Sequence, residues 1–194
     1  MQPASTVPEP QGRENFASPP GGARVDLTRI DPKAFRAQFG LEAYVRGTGL
    51  ETALVQLVRL RASYMNGCSY CVDMHTKDAR LAGESEQRLY AIPVWRETPF
   101  FSARERAALA WTEAVTDVRR TGVPDWVFEV AREEFDEAEL VALTMAIVAI
   151  NGWNRLQVAF RAPVGDYVPG SVARLESGHT TSSEPTPVGH ALMT

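Results

Sequence analysis

The apolar positions along the middle of the chain recur with the period of α-helices. Between residues 50 and 65 they follow steps of three and four residues, and a second apolar run covers residues 140–160. No stretch alternates apolar and polar residues for long, as a half-buried strand would. The pattern therefore predicts an all-α fold of roughly six to eight helices, with no internal repeat.

Capping residues and helix breakers indicate where these helices begin and end. Ser or Asp followed three residues later by Glu is a capping box, and Pro is favoured at a first helical position. The predicted starts are Asp31-Pro32, Ser69, Ser85, Ser102 with Glu105, Pro124, and Asp136 with Glu139. The predicted stops are Gly47 or Gly49, Asn66-Gly67, Gly83, Pro93, Phe135 and Pro163.

The two ends of the chain differ from the middle in composition. Residues 1–24 are rich in Pro and Gly, and residues 176–194 are dominated by Ser, Thr, Pro, Gly and His. Such segments cannot bury enough apolar surface to offset the entropy lost on ordering. We expect a disordered N-terminal arm at 1–24, a helical domain at 25–175 and a disordered C-terminal tail at 176–194.

Composition narrows the class of protein without naming a function. The 194 residues are 44% hydrophobic and 23% charged, which is ordinary for one globular domain. A net charge of -4 and an isoelectric point near 5.5 give no reason to expect nucleic acid as a partner. No uncharged apolar stretch approaches the length of a membrane span, so the cytosol is the simplest compartment.

The chain has two cysteines, Cys68 and Cys71, and they form a CxxC pair with His75 one helical turn beyond. A zinc site would need further ligands, and His179 and His190 lie in the polar tail. A structural disulfide suits small secreted domains, and a thioredoxin fold needs a strand before the pair. A redox-active dithiol on a helical scaffold is the favoured interpretation, with inert buried cysteines as the main remaining alternative. No metal or cofactor is expected.

The predicted helix from about Ser69 to Leu81 would activate such a dithiol. Its first turn, where Cys68 and Cys71 lie, offers unpaired N–H groups and the positive end of the helix dipole, which both favour a thiolate. His75 is four residues after Cys71 and can accept the thiol proton. Asp78 could orient the imidazole, although a solvated carboxylate on the helix surface is the simpler account.

Two neighbouring thiols also have a defined chemistry with peroxides. A thiolate that attacks a peroxide oxygen becomes a sulfenic acid, and a second thiol condenses with it to a disulfide before further oxidation. The spacing of Cys68 and Cys71 meets this requirement. An external thiol must then reduce the disulfide.

Residues 57–76, LVRLRASYMNGCSYCVDMHT, closely resemble the core motif of the AhpD-like alkylhydroperoxidases of the carboxymuconolactone decarboxylase superfamily. The segments 95–101, 104–111 and 151–155 resemble later parts of those proteins, and the resemblance covers about residues 25–167. It implies helical subunits in trimers or hexamers, and reduction of hydroperoxides with a thiol or dithiol as the electron donor. It also implies that Cys71 is the attacking cysteine, Cys68 the resolving cysteine and His75 the proton relay.

The chain departs from the family pattern at two positions. Gln56 stands twelve residues before Cys68, where the well-characterised enzymes have a glutamate as the terminal base, and Tyr70 stands where they have a histidine. An amide cannot act as a base, although it can orient His75 or a water. Weak peroxidase activity is therefore expected, and Glu51 lies too far round the helix to be an obvious substitute.

The remaining conspicuous side chains are expected to be structural. Large aromatic residues between helices usually belong to a core or a subunit interface. The alternative for the aromatic residues is a pocket for an organic hydroperoxide. Three arginines could bind an acidic substrate or form pairs across an interface. The aromatic set is Trp95, Phe100, Phe101, Trp111, Trp126 and Trp153, and the arginines are Arg59, Arg61 and Arg155.

The sequence thus supports reduction of organic hydroperoxides by a dithiol that cycles through sulfenic acid and disulfide. Two alternatives stay open. A lactone decarboxylase of the same superfamily would not use the cysteines, and a helical oligomer could sense oxidant through a Cys68–Cys71 disulfide without being an enzyme.

Overall fold

A computed structural model describes residues 22–171 of the chain. This part contains nine α-helices, one 3₁₀ helix and no strand, which confirms the predicted all-α class. In chain order the helices are α1 (Leu27–Ile30), α2 (Pro32–Arg46), α3 (Thr52–Met65), α4 (Ser69–Leu81), α5 (Glu86–Ala91), a 3₁₀ helix (Ile92–Glu97), α6 (Ala103–Thr116), α7 (Val118–Thr121), α8 (Asp125–Glu134) and α9 (Glu137–Phe160). The excess over the predicted number comes from α1 and α7, which are single turns.

The predicted arm and tail lie almost entirely outside the described residues, so they stay predictions. Of the predicted arm, residues 22–24 are described, and Arg24 bonds the end of α9. Its backbone N–H donates to the Phe160 carbonyl at 2.7 Å, and its Nη1 donates to the Ala159 carbonyl at 3.1 Å.

Local capping determines the helix starts as the sequence indicates. The carboxylate of Asp31 accepts from the N–H groups of Lys33 and Ala34, and Ser85 Oγ accepts from Arg88 N. Both predicted capping boxes form, at the starts of α6 and α9. Pro93 was predicted to close α5, but it lies in the first turn of the 3₁₀ helix, where its missing N–H costs no bond.

Helix α3 lies at the centre of the fold. It packs against α4, α6 and α9, and Leu57, Val58 and Leu60 are at most 1% exposed. Leu109 of α6 and Ile147 of α9 belong to the same apolar core. Burial of each such side chain contributes about 1.5–3 kcal/mol relative to its exposed state. α3 is therefore held on several sides, and so is the turn that follows it.

Three arginines that could have bound substrate are instead held by contacts within the chain. Arg59 forms an ion pair with Glu42 of α2, and Arg155 donates to Asn151. Arg61 donates to Glu113, whose same oxygen accepts from the Trp95 indole N–H at 2.8 Å.

The aromatic residues follow the structural expectation in part. Trp95 and Trp111 are buried in the core, and Trp111 Nε1 donates to Thr144 Oγ1 at 2.9 Å. Trp153 packs against Phe35, with ring centroids 5.4 Å apart. Trp126 on α8 is 61% exposed. Within residues 22–171, no helix combines the length and apolarity needed to cross a membrane.

Candidate redox site

The turn between α3 and α4 positions the two cysteines. α3 ends at Met65 with Asn66 as its C-cap, and Gly67 follows with a φ of 64°, a left-handed conformation that glycine adopts without a Cβ clash. The N–H of Cys68 then donates to the Ser63 carbonyl at 3.0 Å, and the N–H of Gly67 to the Tyr64 carbonyl at 3.3 Å. These bonds form a Schellman motif, which directs the chain straight into α4.

Cys68 is the N-cap of α4, one residue before the first turn in which the sequence placed it. Its Sγ accepts a hydrogen bond from the Cys71 N–H at 3.3 Å. The two cysteines form a disulfide, with their Cα atoms 5.3 Å apart, and each is only 1% exposed. They pack with Ala62 and Ile150. The CxxC pair thus lies under the surface at the start of a helix.

His75 lies one turn beyond Cys71 and is buried. Its Nδ1 is 3.1 Å from Gln56 Oε1, across the contact between α4 and α3. Burial, together with the positive charge of Arg59, holds the pKa of His75 well below its ordinary value. The imidazole is therefore neutral at neutral pH. When Nδ1–H donates to the amide oxygen, Nε2 is left as a proton acceptor.

Arg59 brings a positive charge close to this histidine. It lies three residues after Gln56 on α3, and its guanidinium pairs with Glu42 of α2. Among the described residues its Nε has no hydrogen-bond partner. The pair fastens α2 to the helix that carries Gln56, while the charge opposes protonation of His75.

A network of amides anchors the turn from the other side. Asn66 Nδ2 donates to Asn151 Oδ1 at 3.0 Å and to Asn154 Oδ1 at 2.9 Å, and Asn154 Nδ2 donates to Ser63 Oγ at 3.0 Å. Asn154 is 1% exposed. The turn before Cys68 is therefore tied to α9 by hydrogen-bonded side chains, of which Asn154 and Ser63 are buried.

Asp78 neither orients His75 nor lies free on the helix surface, which were the two roles considered from the sequence. Its carboxylate accepts from the Tyr167 hydroxyl at 2.9 and 3.0 Å and from the Gly170 N–H at 3.0 Å. Lys77 Nζ donates to the carbonyls of Gly165 and Tyr167. Burial and the Asp78 carboxylate raise the pKa of Tyr167 to about 12. Asp78 thus holds the segment after α9 against α4.

Two cavities are lined by residues of this site, one by Cys68 and the other by Gln56. The first, here called the Cys68 groove, has a volume of about 650 Å³ and is lined by Ser63, Tyr64, Gly67, Cys68, Ser69, Val72, Asp73, Thr76, Lys77 and Arg80. The second, the Gln56 cavity, has a volume of about 260 Å³ and is lined by Ala53, Gln56, Leu57, Ala79, Ala82, Gly83, Glu84, Arg88 and Glu105. The two share no residue.

Of the residues selected from the sequence, the structure brings Cys68, Cys71, His75 and Gln56 together. Glu51 is not among them, since it pairs with Arg104. Sequence reasoning missed Asn154, and it treated Asn66 only as a helix stop. A buried amide on a long apolar helix was the available signal, because such a group must find partners.

The sequence profile described as the carboxymuconolactone decarboxylase family matches residues 32–114. The uncharacterised protein YdfG of Bacillus subtilis (strain 168) is 39% identical over 136 residues, which cover 70% of this chain and 92% of YdfG. The chain belongs to the carboxymuconolactone decarboxylase family.

Solved structures agree with this family and show an AhpD-like fold. A protein of unknown function from Agrobacterium tumefaciens, suggested to be the antioxidant defence protein AhpD, is 45% identical, with a TM-score of 0.73. The match covers 75% of this chain and all of that one. The AhpD core of a peroxidase-related protein from Ralstonia eutropha JMP134 shares the fold, with a TM-score of 0.64, 22% identity and coverage of 72% and 74%.

Proposed function

We propose that this member of the family reduces organic hydroperoxides with its CxxC dithiol. The observation that carries the proposal is the Cys68–Cys71 disulfide beside a buried, neutral His75 that is bonded to Gln56. A pair of thiols that can join reversibly, next to a proton acceptor, has the parts that peroxide reduction needs.

The cycle begins from the reduced dithiol. His75 Nε2 takes the proton of the Cys71 thiol, and the thiolate attacks one oxygen of the hydroperoxide. The O–O bond breaks, Cys71 becomes a sulfenic acid, and the alkoxide leaves as an alcohol with the proton that His75 held. The Cys68 thiol then attacks the sulfenic sulfur, which releases water and forms the disulfide. Two electrons from an external thiol or dithiol restore the starting state.

Gln56 orients the histidine in this scheme and takes no proton. By accepting from Nδ1–H, its amide oxygen selects the tautomer in which Nε2 is free to act as the base. The positive end of α4 assists, since Cys71 lies in the first turn of the helix. Without a carboxylate behind His75, we expect turnover to be slow.

The experiment is thiol counting after cumene hydroperoxide is mixed with the reduced protein. We expect the loss of two thiols per chain, faster than free cysteine is oxidised. A loss no faster than that of free cysteine would contradict the proposal, and oxidation without turnover in the presence of a thiol donor would favour an oxidant sensor. A lactone decarboxylase would retain its activity in a variant with both cysteines replaced by serine.

Association into a trimer or hexamer, which the resemblance implied, stays a prediction. The exposed apolar side chains Trp126, Phe128 and Val130 on α8 support it, because large exposed apolar patches often mark interfaces. Light scattering at micromolar concentration measures the mass, and a single subunit mass would contradict the prediction.

A further inference from the structure

The two cysteines are each 1% exposed, but they differ in the cavities that they line. Cys68 lines the Cys68 groove, whereas Cys71 and His75 line neither that groove nor the Gln56 cavity. This difference follows from position on the helix. Cys68, as the N-cap, stands at the turn where the groove begins, and Cys71 is one turn inward, among apolar residues of α3 and α9.

Access decides which sulfur a reducing thiol attacks. In thiol–disulfide exchange a thiolate attacks one sulfur and expels the other, and the rate depends on access and on how readily the leaving thiolate forms. Cys68 lines the groove, so a thiol in the groove meets Cys68 before Cys71. Attack there expels Cys71 Sγ as a thiolate in the first turn of α4, where the positive end of the helix favours an anion.

We propose that a low-molecular-weight thiol enters the Cys68 groove and attacks Cys68 Sγ, which expels Cys71 as the thiolate. The S–S bond breaks as the new bond to Cys68 forms, so that Cys68 carries the reductant in a mixed disulfide. A second thiolate attacks the reductant's sulfur in that mixed disulfide, releasing the oxidised donor and the Cys68 thiolate. This proposal rests on the proposed function, because reduction of the disulfide is the second half of the same catalytic cycle.

The burial of Cys68 at the groove favours a small thiol over one on a folded protein surface. Cys68 is 1% exposed, so an attacking sulfur must reach into the groove on a slim chain. Both cations of the lining are paired, Lys77 with Asp73 and Arg80 with Glu86, so the selection of a small thiol rests on the depth of Cys68 in the groove.

The first test locates the mixed disulfide. The wild-type protein is oxidised with diamide and treated briefly with glutathione. The reaction is quenched in acid, and free thiols are blocked with N-ethylmaleimide. The peptide that contains both cysteines is then fragmented in a mass spectrometer. We expect glutathione on Cys68 and maleimide on Cys71. The reverse labelling would overturn the proposal. Diamide forms the disulfide without peroxide, so the result is independent of whether the protein reduces hydroperoxides.

The second test narrows the groove. Ser69 lines it and is exposed, so Ser69→Trp adds bulk at its edge, and Gln87→Trp on α5 is the matched control at an exposed position outside both cavities. We expect Ser69→Trp to slow reduction of the disulfide by glutathione about tenfold or more, since exchange depends on access. Gln87→Trp should leave the rate unchanged. Equal rates for two variants with native circular dichroism would overturn the proposal, as would faster reduction by thioredoxin than by glutathione at equal thiol concentration.

Discussion

Cys68 and Cys71 belong to one turn of chain, yet their surroundings differ in access and in the groups that hold them. Cys68 borders an open groove, and hydrogen bonds from the preceding turn to α9 fix its position. Cys71 leads inward to His75, which is buried and bonded to Gln56. The comparison teaches that the two cysteines of one CxxC pair can have different neighbours, a groove for one and an imidazole for the other, because the cap of a helix and its first turn face different environments.

The largest expected effect comes from exchanging the two cysteines for serine one at a time. Cys71→Ser should abolish peroxide consumption, because the thiol beside His75 is lost. Cys68→Ser should allow one attack and then stall at a sulfenic acid, since the resolving thiol is missing. Peroxide consumption and a sulfenic-acid trap with dimedone measure both outcomes. A sulfenic acid trapped on Cys68 in the Cys71→Ser protein would reverse the assignment.

The substitution Gln56→Glu tests whether the hydrogen-bond partner of His75 affects proton transfer from Cys71. A carboxylate that accepts from Nδ1–H would favour the protonated imidazole, so proton uptake from Cys71 becomes easier. We expect thiol oxidation by peroxide at neutral pH to rise by up to about a hundredfold, as restored general bases do. Stopped-flow tryptophan fluorescence or thiol counting gives the rate.

Melting temperature provides the control for Gln56→Glu. A buried carboxylate costs stability unless its partners satisfy it, so a variant that melts lower and gains no rate would show a packing role for Gln56. An unchanged rate in a variant with the wild-type melting temperature would show that no relay passes through this position.

The anchoring of the Cys68 side is tested by Asn154→Ala. The change leaves Asn66 Nδ2 and Ser63 Oγ each without one partner, and we expect a loss of about 1–3 kcal/mol in the free energy of unfolding. Urea denaturation measures it. The matched change Val158→Ala, on the same helix at a position 48% exposed and outside the network, should stay within about 0.5 kcal/mol of the wild type. Equal effects of the two changes would contradict the anchoring role of the amide network.

The smallest effect is the dependence of stability on pH. The pKa of His75 is lowered by burial and by Arg59, so the unfolded chain, where histidine titrates near about 6.5, binds more protons below that pH. Stability should therefore be unaffected by His75 above about pH 7 and should fall below it, by up to about 1.4 kcal/mol per pH unit. Urea midpoints between pH 7 and 5 measure the slope, and His75→Gln should remove it. If His75→Gln showed the same slope, the pH dependence of stability would come from a group other than His75.

Much of the fold follows from local sequence signals. Asp31, Ser85, Ser102 and Asp136 cap the helices that the sequence assigns to them, because a cap depends on residues within three positions. Helices α1 and α7 were not predicted, since four residues are too few to show a period. Pro93 was predicted to end α5. The 3₁₀ helix that contains it was not predicted, because a short 3₁₀ helix has no apolar pattern of its own.

The site could be predicted only where its residues are close in sequence or match a family motif. The place of His75 in the site could be predicted from its spacing to Cys71. The place of Gln56 could be predicted from the family resemblance, and the 3.1 Å contact between Gln56 and His75 agrees with that prediction. The bond from Tyr167 to Asp78 spans 89 residues, and no local pattern indicates it. The same holds for the Cys68 groove, which exists only once α3 and α4 are packed together.

The N-cap of α4 also provides a signal within the protein that reports the redox state of Cys68. Four of the predicted helix starts are capped by oxygen atoms of Ser or Asp, which take no part in thiol oxidation, whereas α4 has the sulfur of Cys68 in that place. The N–H of Cys71 therefore points at an atom that is disulfide, thiol or thiolate in turn. Its proton chemical shift and its exchange with deuterium should change with each of these states, so nuclear magnetic resonance of one backbone amide would follow oxidation and reduction without dye or substrate.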